Sequence, residues 1–148
     1  MRLSQNFTLQ EYLNSDTANK FGITEQYNPP AQIIENIRRI NEVVERVRTE
    51  MNRPLTITSG YRCLRVNRKV GGVANSLHLD GLAVDIRYYS IPDALKLVDA
   101  GIKAGFTRIG LGNGFIHFDL KPSKTVWLYG RSTPLQLSQQ VENIRKKL

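Results

Sequence analysis

Cysteine occurs once in this chain, at Cys63, and histidine only twice, at His78 and His117. One thiol cannot close an intramolecular disulfide, and 148 residues are enough to bury a core without such staples. Zinc-finger spacing, an RNA-recognition sequence and any run of interleaved aromatic and basic residues are absent, so nothing beyond charge points to a nucleic-acid module. No apolar run approaches the ~20 residues of a membrane span, and the N-terminus lacks the basic-then-apolar layout of a secretion signal. The expectation is cytoplasmic synthesis, with release only through a separate pore or particle. Repeats, low-complexity tracts and linkers are also missing, which predicts a single domain over 1–148.

Positive charge is plentiful. Lys and Arg number 21 against 13 acids, a net charge of +8. Such a balance suits nucleic acid, acidic lipid or an anionic wall polymer, or else marks a solvated basic surface without a dedicated partner. A hydrophobic content of 41% and a charged content of 23% are ordinary for a globular protein.

Phe7-Thr8-Leu9-Gln10-Glu11-Tyr12 has the form of a capping box, with Thr8 as N-cap, Glu11 three residues on, and Phe7 and Tyr12 as a hydrophobic staple. The short helix it starts is broken at Asn14, Ser15 and Asp16, which cap a second turn ending at Gly22. After Pro29-Pro30, the residues Ile33, Ile37, Ile40, Val44, Val47 and Met51 recur at spacings of 4, 3, 4, 3 and 4, the stripe of a long core helix. Residues 55–59 alternate as a strand. From Ser59 to Gly72 the chain reads as a turn, a short basic helix and a glycine pair that stops it, with Cys63 as a packed thiol. Ser90-Ile91-Pro92-Asp93 caps a further helix with Ile91, Leu95, Val98 and Ile102 as its buried stripe and Gly105 as its stop.

Residues 107–111 and 115–120 form a hairpin through Gly112-Asn113-Gly114. Alternation in its second strand puts Ile116, Phe118 and Leu120 on one face and Phe115, His117 and Asp119 on the other. The glycine run at 110–114 precedes a strand, not a helix, which excludes a dinucleotide-binding turn. Trp127-Leu128-Tyr129 reads as an edge strand. Leu137, Val141, Ile144 and Leu148 predict one amphipathic helix over 134–148, which either closes the domain or docks on another surface.

The stretch 76–86, SLHLDGLAVDI, sets a histidine and a strand-borne aspartate on either side of an Asp-Gly turn. Fully extended, the chain from His78 to Asp85 would span roughly 23 Å, whereas donors on one zinc each lie about 2 Å from it. The two can share a metal only if the chain doubles back, which Leu79-Asp80-Gly81 permits. Two histidines and one aspartate are a donor set for catalytic zinc, leaving one position for water. Their net positive charge with the metal lowers the pKa of that water to about 7. Singly, each residue has a plain structural reading: a capped loop histidine, a salt-bridged aspartate, a strand histidine. With Asp85 and His117 both predicted off the core face, the set together favours zinc.

SGYR at 59–62, VNRKVGG at 66–72, SLHLDGLAVDI at 76–86 and GFIHFD at 114–119 resemble, in that order, the motifs of the zinc D-alanyl-D-alanine carboxypeptidase and L,D-endopeptidase family, peptidase family M15, which includes phage endolysins. NFTLQEYLNSDTANKFGI at 6–23 is similar to the N-terminal segment of phage-encoded members. The resemblance implies the fold shared with the Hedgehog signalling domain: α+β, with a small, mainly antiparallel sheet, helices on one face and zinc in a cleft on the other. It implies Zn2+ held by His78, Asp85 and His117, with peptidoglycan stem peptides, not nucleic acid, as the partner. Delivery to the wall would then be by a phage lysis system or in a virion. Arg62 matches an arginine that faces substrate, where a fixed guanidinium stabilises an oxyanion or grips a carboxylate; its alternative is a surface arginine among basic neighbours. Ser76 matches a hydroxyl residue near substrate, or simply caps the turn.

One position departs from the pattern. Many members carry Glu or Asp three residues before the last histidine as a proton acceptor; here Gly114 stands there, and Asn113 is no base. Asp119, on the same strand face as His117, is nominated instead; its alternatives are to orient a zinc ligand from behind or to pair with Lys121. Two functional expectations follow. One is a zinc peptidase cleaving peptidoglycan with metal-activated water, as a D-Ala-D-Ala carboxypeptidase or an endolysin-type endopeptidase. The other is a catalytically impaired relative that binds wall or protein around a structural zinc.

Overall fold

In the computed structural model, which describes residues 1–148, the capping box forms as expected. Glu11 Oε2 accepts the Thr8 backbone N–H at 2.7 Å and starts α1 (Leu9–Leu13). Ser15 Oγ accepts from the Ala18 N–H to start α2 (Asp16–Phe21), which ends on left-handed Gly22. Pro30 opens α3 (Ala31–Met51), whose stripe buries Ile37, Ile40, Val44 and Val47 completely. The short basic helix is α4 (Leu64–Lys69). Ser90 caps α5 (Ile91–Ala104) through the Asp93 N–H, and Gly105 ends it in the left-handed region.

Five strands form one sheet: β1 (Ile57–Ser59), β2 (Ala83–Arg87), β3 (Arg108–Leu111), β4 (Phe115–Asp119) and β5 (Thr125–Leu128), in the order β1-β2-β4-β3-β5. Every pairing is antiparallel except β3 with β5. Alternation sorts the two faces. Val84, Ile86, Ile109, Ile116, Phe118 and Val126 are buried in the core with α3 and α5, while the same strands turn Asp85, His117, Gly110 and Trp127 to the other side. The fold is therefore α+β, as anticipated, with α3 and α5 packed on one face of the sheet while α2 and α4 border the other, and no helix is long and apolar enough to cross a membrane.

The core is close-packed where α5 meets β4. Phe106 stacks on Phe118 at 4.7 Å between centroids, and a Cβ added to Gly101 would sit 2.3 Å from the Phe118 ring. Gly101→Ala is expected to lower the urea midpoint, because overpacking costs about 1–3 kcal/mol or more and outweighs the ~1 kcal/mol that alanine adds to helix propensity.

Three expectations are corrected. The buried face of α5 is Ala94, Leu97, Val98 and Gly101, with Ile91, Leu95 and Ile102 only partly buried beside it. The C-terminal segment is two helices, not one: α6 (Leu135–Ser138) and α7 (Val141–Lys147). The break at Gln139 and Gln140 lets Leu137 be buried where α6 meets α5, while Ile144 is buried in α7 beside β5. The strand expected over 55–59 begins only at Ile57, and its register against β2 slips between Ile57 and Ser59.

Candidate metal centre

One 3₁₀ turn and one glycine bring His78 to Asp85. Ser76 Oγ accepts the His78 N–H at 3.2 Å, opening the turn Leu77–Asp80. Gly81 then reverses the chain into β2 at φ 69°, a conformation that glycine adopts without strain. Strand register supplies the third residue, since Asp85 on β2 lies directly opposite His117 on β4.

Hydrogen bonds fix how each imidazole presents itself. His78 Nδ1 lies 2.6 Å from the Gly60 carbonyl oxygen, which can only accept, so that nitrogen carries the proton and Nε2 is bare. His117 Nε2 lies 2.8 Å from Asp119 Oδ2, which leaves Nδ1 bare. Both bare nitrogens converge on one carboxylate oxygen, with His78 Nε2 3.3 Å and His117 Nδ1 2.9 Å from Asp85 Oδ1. Two lone pairs aimed at an anionic oxygen repel unless a cation lies among them. The donor atoms of all three residues fall within 4.8 Å of one another, and a tetrahedral zinc with bonds of ~2.0–2.1 Å holds its ligands roughly 3.3 Å apart. The donor set and its spacing fit zinc.

In the metal-free protein the same groups stabilise one another's charged forms. Burial pushes the Asp85 carboxyl up, but the imidazoles of His78 and His117 outweigh it and hold the group below the usual carboxylate range. Burial likewise works against a charged His117, yet Asp119 and Asp85 overcome it and raise the imidazole above its ordinary value. Asp119 is held down, against its own burial, by His117, Arg108 and the Lys121 N–H.

Asp119 sits behind the centre. It is 2% exposed, and it bonds the His117 nitrogen turned away from Asp85. Arg108 Nε and Nη2 donate to it at 2.9 and 3.3 Å, and the Lys121 backbone N–H at 3.0 Å. Both oxygens are thus engaged, and the contact with Lys121 is through its backbone, not its ammonium.

Arg62 borders the site and is no ordinary surface arginine. It makes no ion pair, its Nε is buried without a hydrogen-bond partner, and Nη2 reaches only Ser76 Oγ at 3.4 Å. Burial pulls its pKa down, while Asp85 and Tyr129 oppose that shift. Ser76 thus caps the turn, one of its two expected roles, and its hydroxyl also meets Arg62.

Two groups of residues escaped the sequence reading. Gln26, fully buried, donates to the carbonyls of Leu13 and Tyr61 and accepts the Cys63 N–H, each at 2.8 Å. It pins the chain on both sides of Arg62, with Cys63 packed beside it as expected. Its partners lie up to 37 residues away in sequence, so no local signal marks it. The second group is aromatic. Trp127 and Tyr129 lie beside His117, their ring centroids 5.2 and 6.1 Å from it. Gly110 makes room for them, because a Cβ there would lie 2.5 Å from the Tyr129 ring and 2.8 Å from that of Trp127. The glycine run that cannot bind a dinucleotide thus clears a floor for an aromatic wall.

A cavity of about 660 Å3 opens on the His78, His117, Trp127 and Tyr129 side, and one of about 480 Å3 on the Asp85, Ser59 and Phe115 side.

A family model described as Peptidase M15 matches residues 5–119. Among solved structures, the L-Ala D-Glu endopeptidase ChiX of Serratia marcescens is similar with a TM-score of 0.42 and 20% sequence identity, over 62% of this chain and 87% of that one. Among curated proteins, none matches the sequence.

Proposed function

The chain belongs to the peptidase M15 family, and from that premise we propose that it is a zinc-dependent peptidase that hydrolyses a peptide bond of bacterial peptidoglycan. The observation that carries the reading is the convergence of two bare imidazole nitrogens on one oxygen of Asp85. His78, Asp85 and His117 would hold the metal. Zinc, when bound, acts as a Lewis acid and lowers the pKa of water from 15.7 to about 7.

The protein's own groups do the rest. Arg62, a cation without a bonded carboxylate, faces the site and donates to the carbonyl oxygen as negative charge develops on it. Ser76 steadies that guanidinium from one side, and Gln26 fixes the backbone behind it. Trp127 and Tyr129 wall the β5 side of the centre. The net charge of +8 suits an anionic wall.

Asp119 is a positioning residue in this scheme. Its carboxylate fixes the His117 tautomer, and Arg108 holds the carboxylate. Asp119→Asn is expected to weaken zinc binding about 10- to 100-fold, in step with activity. A proton acceptor would behave differently, losing about 10²–10⁴ in rate with zinc affinity intact. Competitive chelator titration beside kinetics separates the two.

A specific observation favours a second reading. Gly114 carries no acid, and at φ 86° it occupies a conformation that L side chains rarely adopt. With Asp119 engaged as well, the centre has no uncommitted proton acceptor of the usual kind. The second reading is a wall-binding relative that retains zinc without turnover. Digestion of purified peptidoglycan by zinc-loaded protein, followed by mass spectrometry, decides between them. Released fragments that vanish on chelation support the peptidase, whereas sedimentation with the wall and no fragment supports the binding module.

A further inference from the structure

The stretch VNRKVGG at 66–72 supplies no donor to the metal centre, yet its asparagine and its last glycine surround Arg62. The guanidinium lies between the two ends of a short loop, 72–76. At one end Nη2 meets Ser76 Oγ. At the other, a Cβ on Gly72 would stand 3.0 Å from Nη1. Asn67 holds both ends. Its backbone carbonyl accepts the Gly72 N–H at 2.9 Å, and its side-chain Nδ2 donates to the Val73 carbonyl at 3.0 Å. That same carbonyl accepts the Ser76 N–H at 3.1 Å, so one buried residue ties the loop together from Gly72 to Ser76. Val73, Ala74 and Asn75 are exposed. A segment that buries so little apolar surface depends on its hydrogen bonds for its shape.

Gly72 serves by the space it leaves, not by its conformation. Its backbone lies outside the left-handed region, unlike that of Gly71 at φ 71°. A side chain would nevertheless overlap Asn67 Oδ1 and press on Arg62 Nη1. Asn67 Oδ1 is itself buried without a hydrogen-bond partner, and so is Arg62 Nε; these are the chain's two such side-chain atoms. Buried polar atoms are normally paired, so two orphans, one on Arg62 and one on the residue that frames it, mark a place arranged for more than stability. An amide oxygen attracts a guanidinium without neutralising it. Arg62 thereby stays a free cation.

Resting on the peptidase reading, in which Arg62 donates to the developing oxyanion, we propose that Asn67 and Gly72 are positioning residues: Asn67 fixes the 72–76 loop, and Gly72 leaves the slot that sets where the Arg62 guanidinium points. Asn67 lines neither cavity. Its effect reaches the reaction through Arg62.

The test is a mutant cycle in the zinc-loaded, full-length protein. Asn67→Ala and Gly72→Ala are each expected to lower kcat on muropeptides about 10- to 100-fold with KM changed less than about twofold, the cost of a donor misplaced by ~1 Å. Zinc content is expected to stay at the parent level. In the Arg62→Met background the same substitutions are expected to change kcat less than about twofold, because the group they position is gone. A role in folding alone would lower kcat by equal factors in both backgrounds, and that result overturns the proposal. Gly72→Ala leaves the core untouched and answers the question by itself if Asn67→Ala does not fold. Nuclear magnetic resonance gives a readout without turnover. The Arg62 Nε–H, buried in the parent, is expected to exchange with solvent about tenfold faster or more in the variants. Unchanged exchange overturns the assignment. Faster exchange in the variants of a parent that hydrolyses nothing removes the peptidase reading and keeps the frame around Arg62.

Discussion

Asp85→Ala is expected to abolish zinc binding and hydrolysis together. Its Oδ1 is the point on which both bare imidazole nitrogens converge, and it is the only anionic member of the donor set. Without it two neutral imidazoles remain, one donor short of the three that a catalytic zinc site takes from protein. Activity should fall by more than ~10³, because the pKa of the attacking water moves back from about 7 toward 15.7. Metal analysis after dialysis and the muropeptide assay read the two losses independently. The metal-free protein supplies a further check. Asp85 is depressed in the fold, so its contribution to stability is fully present above the unfolded carboxylate value of about 3.9 and is lost as pH falls through the lower folded value. Metal-free Asp85→Ala should thus melt below the metal-free parent at neutral pH, and the gap should narrow in acid. Full zinc occupancy in the variant would sink the assignment of Asp85 as a ligand.

What the sequence reveals depends on the range over which each interaction acts. The α3 stripe, the Thr8 and Ser90 caps and the hairpin strands β3 and β4 are written in neighbouring residues, and each forms where its periodicity or capping places it. The convergence of His78, Asp85 and His117 is legible for a related reason: a tight turn joins the first two, and strand alternation puts His117 on the face that Asp85 shares. What stays hidden is long-range or negative. Gln26 bonds three distant backbone groups through a side chain that looks like any surface amide. Gly110 acts through the space it leaves for Trp127 and Tyr129, and that role exists only once β5 lies parallel beside β3. Strand alternation is enough to put Asp119 on the His117 face, but its commitment to Arg108 depends on the register of β3 against β4. The break between α6 and α7 is equally a tertiary matter, because Leu137, Val141, Ile144 and Leu148 keep helical spacing across it.

Arg62→Lys and Arg62→Met are expected to cut kcat/KM by about 10²–10³, the usual loss when one oxyanion donor is removed. Lysine should not rescue the activity. Its ammonium is a point charge without the planar fork, and the path to the site is set by a guanidinium whose Nη2 meets Ser76 while Nε lies buried and unpartnered. The stability result separates this from a structural role. A buried cation that no carboxylate pairs costs the fold something, as the downward pull of burial on Arg62 shows. Replacing it with the apolar methionine should leave the thermal midpoint unchanged or raised while activity collapses, the trade expected of a group strained for function. Zinc content should stay at the parent level, since Arg62 is not among the donors. A midpoint that falls together with activity would make Arg62 a packing residue. A zinc content that falls instead would tie it to the metal through the His78 carbonyl, to which its backbone N–H donates at 2.9 Å.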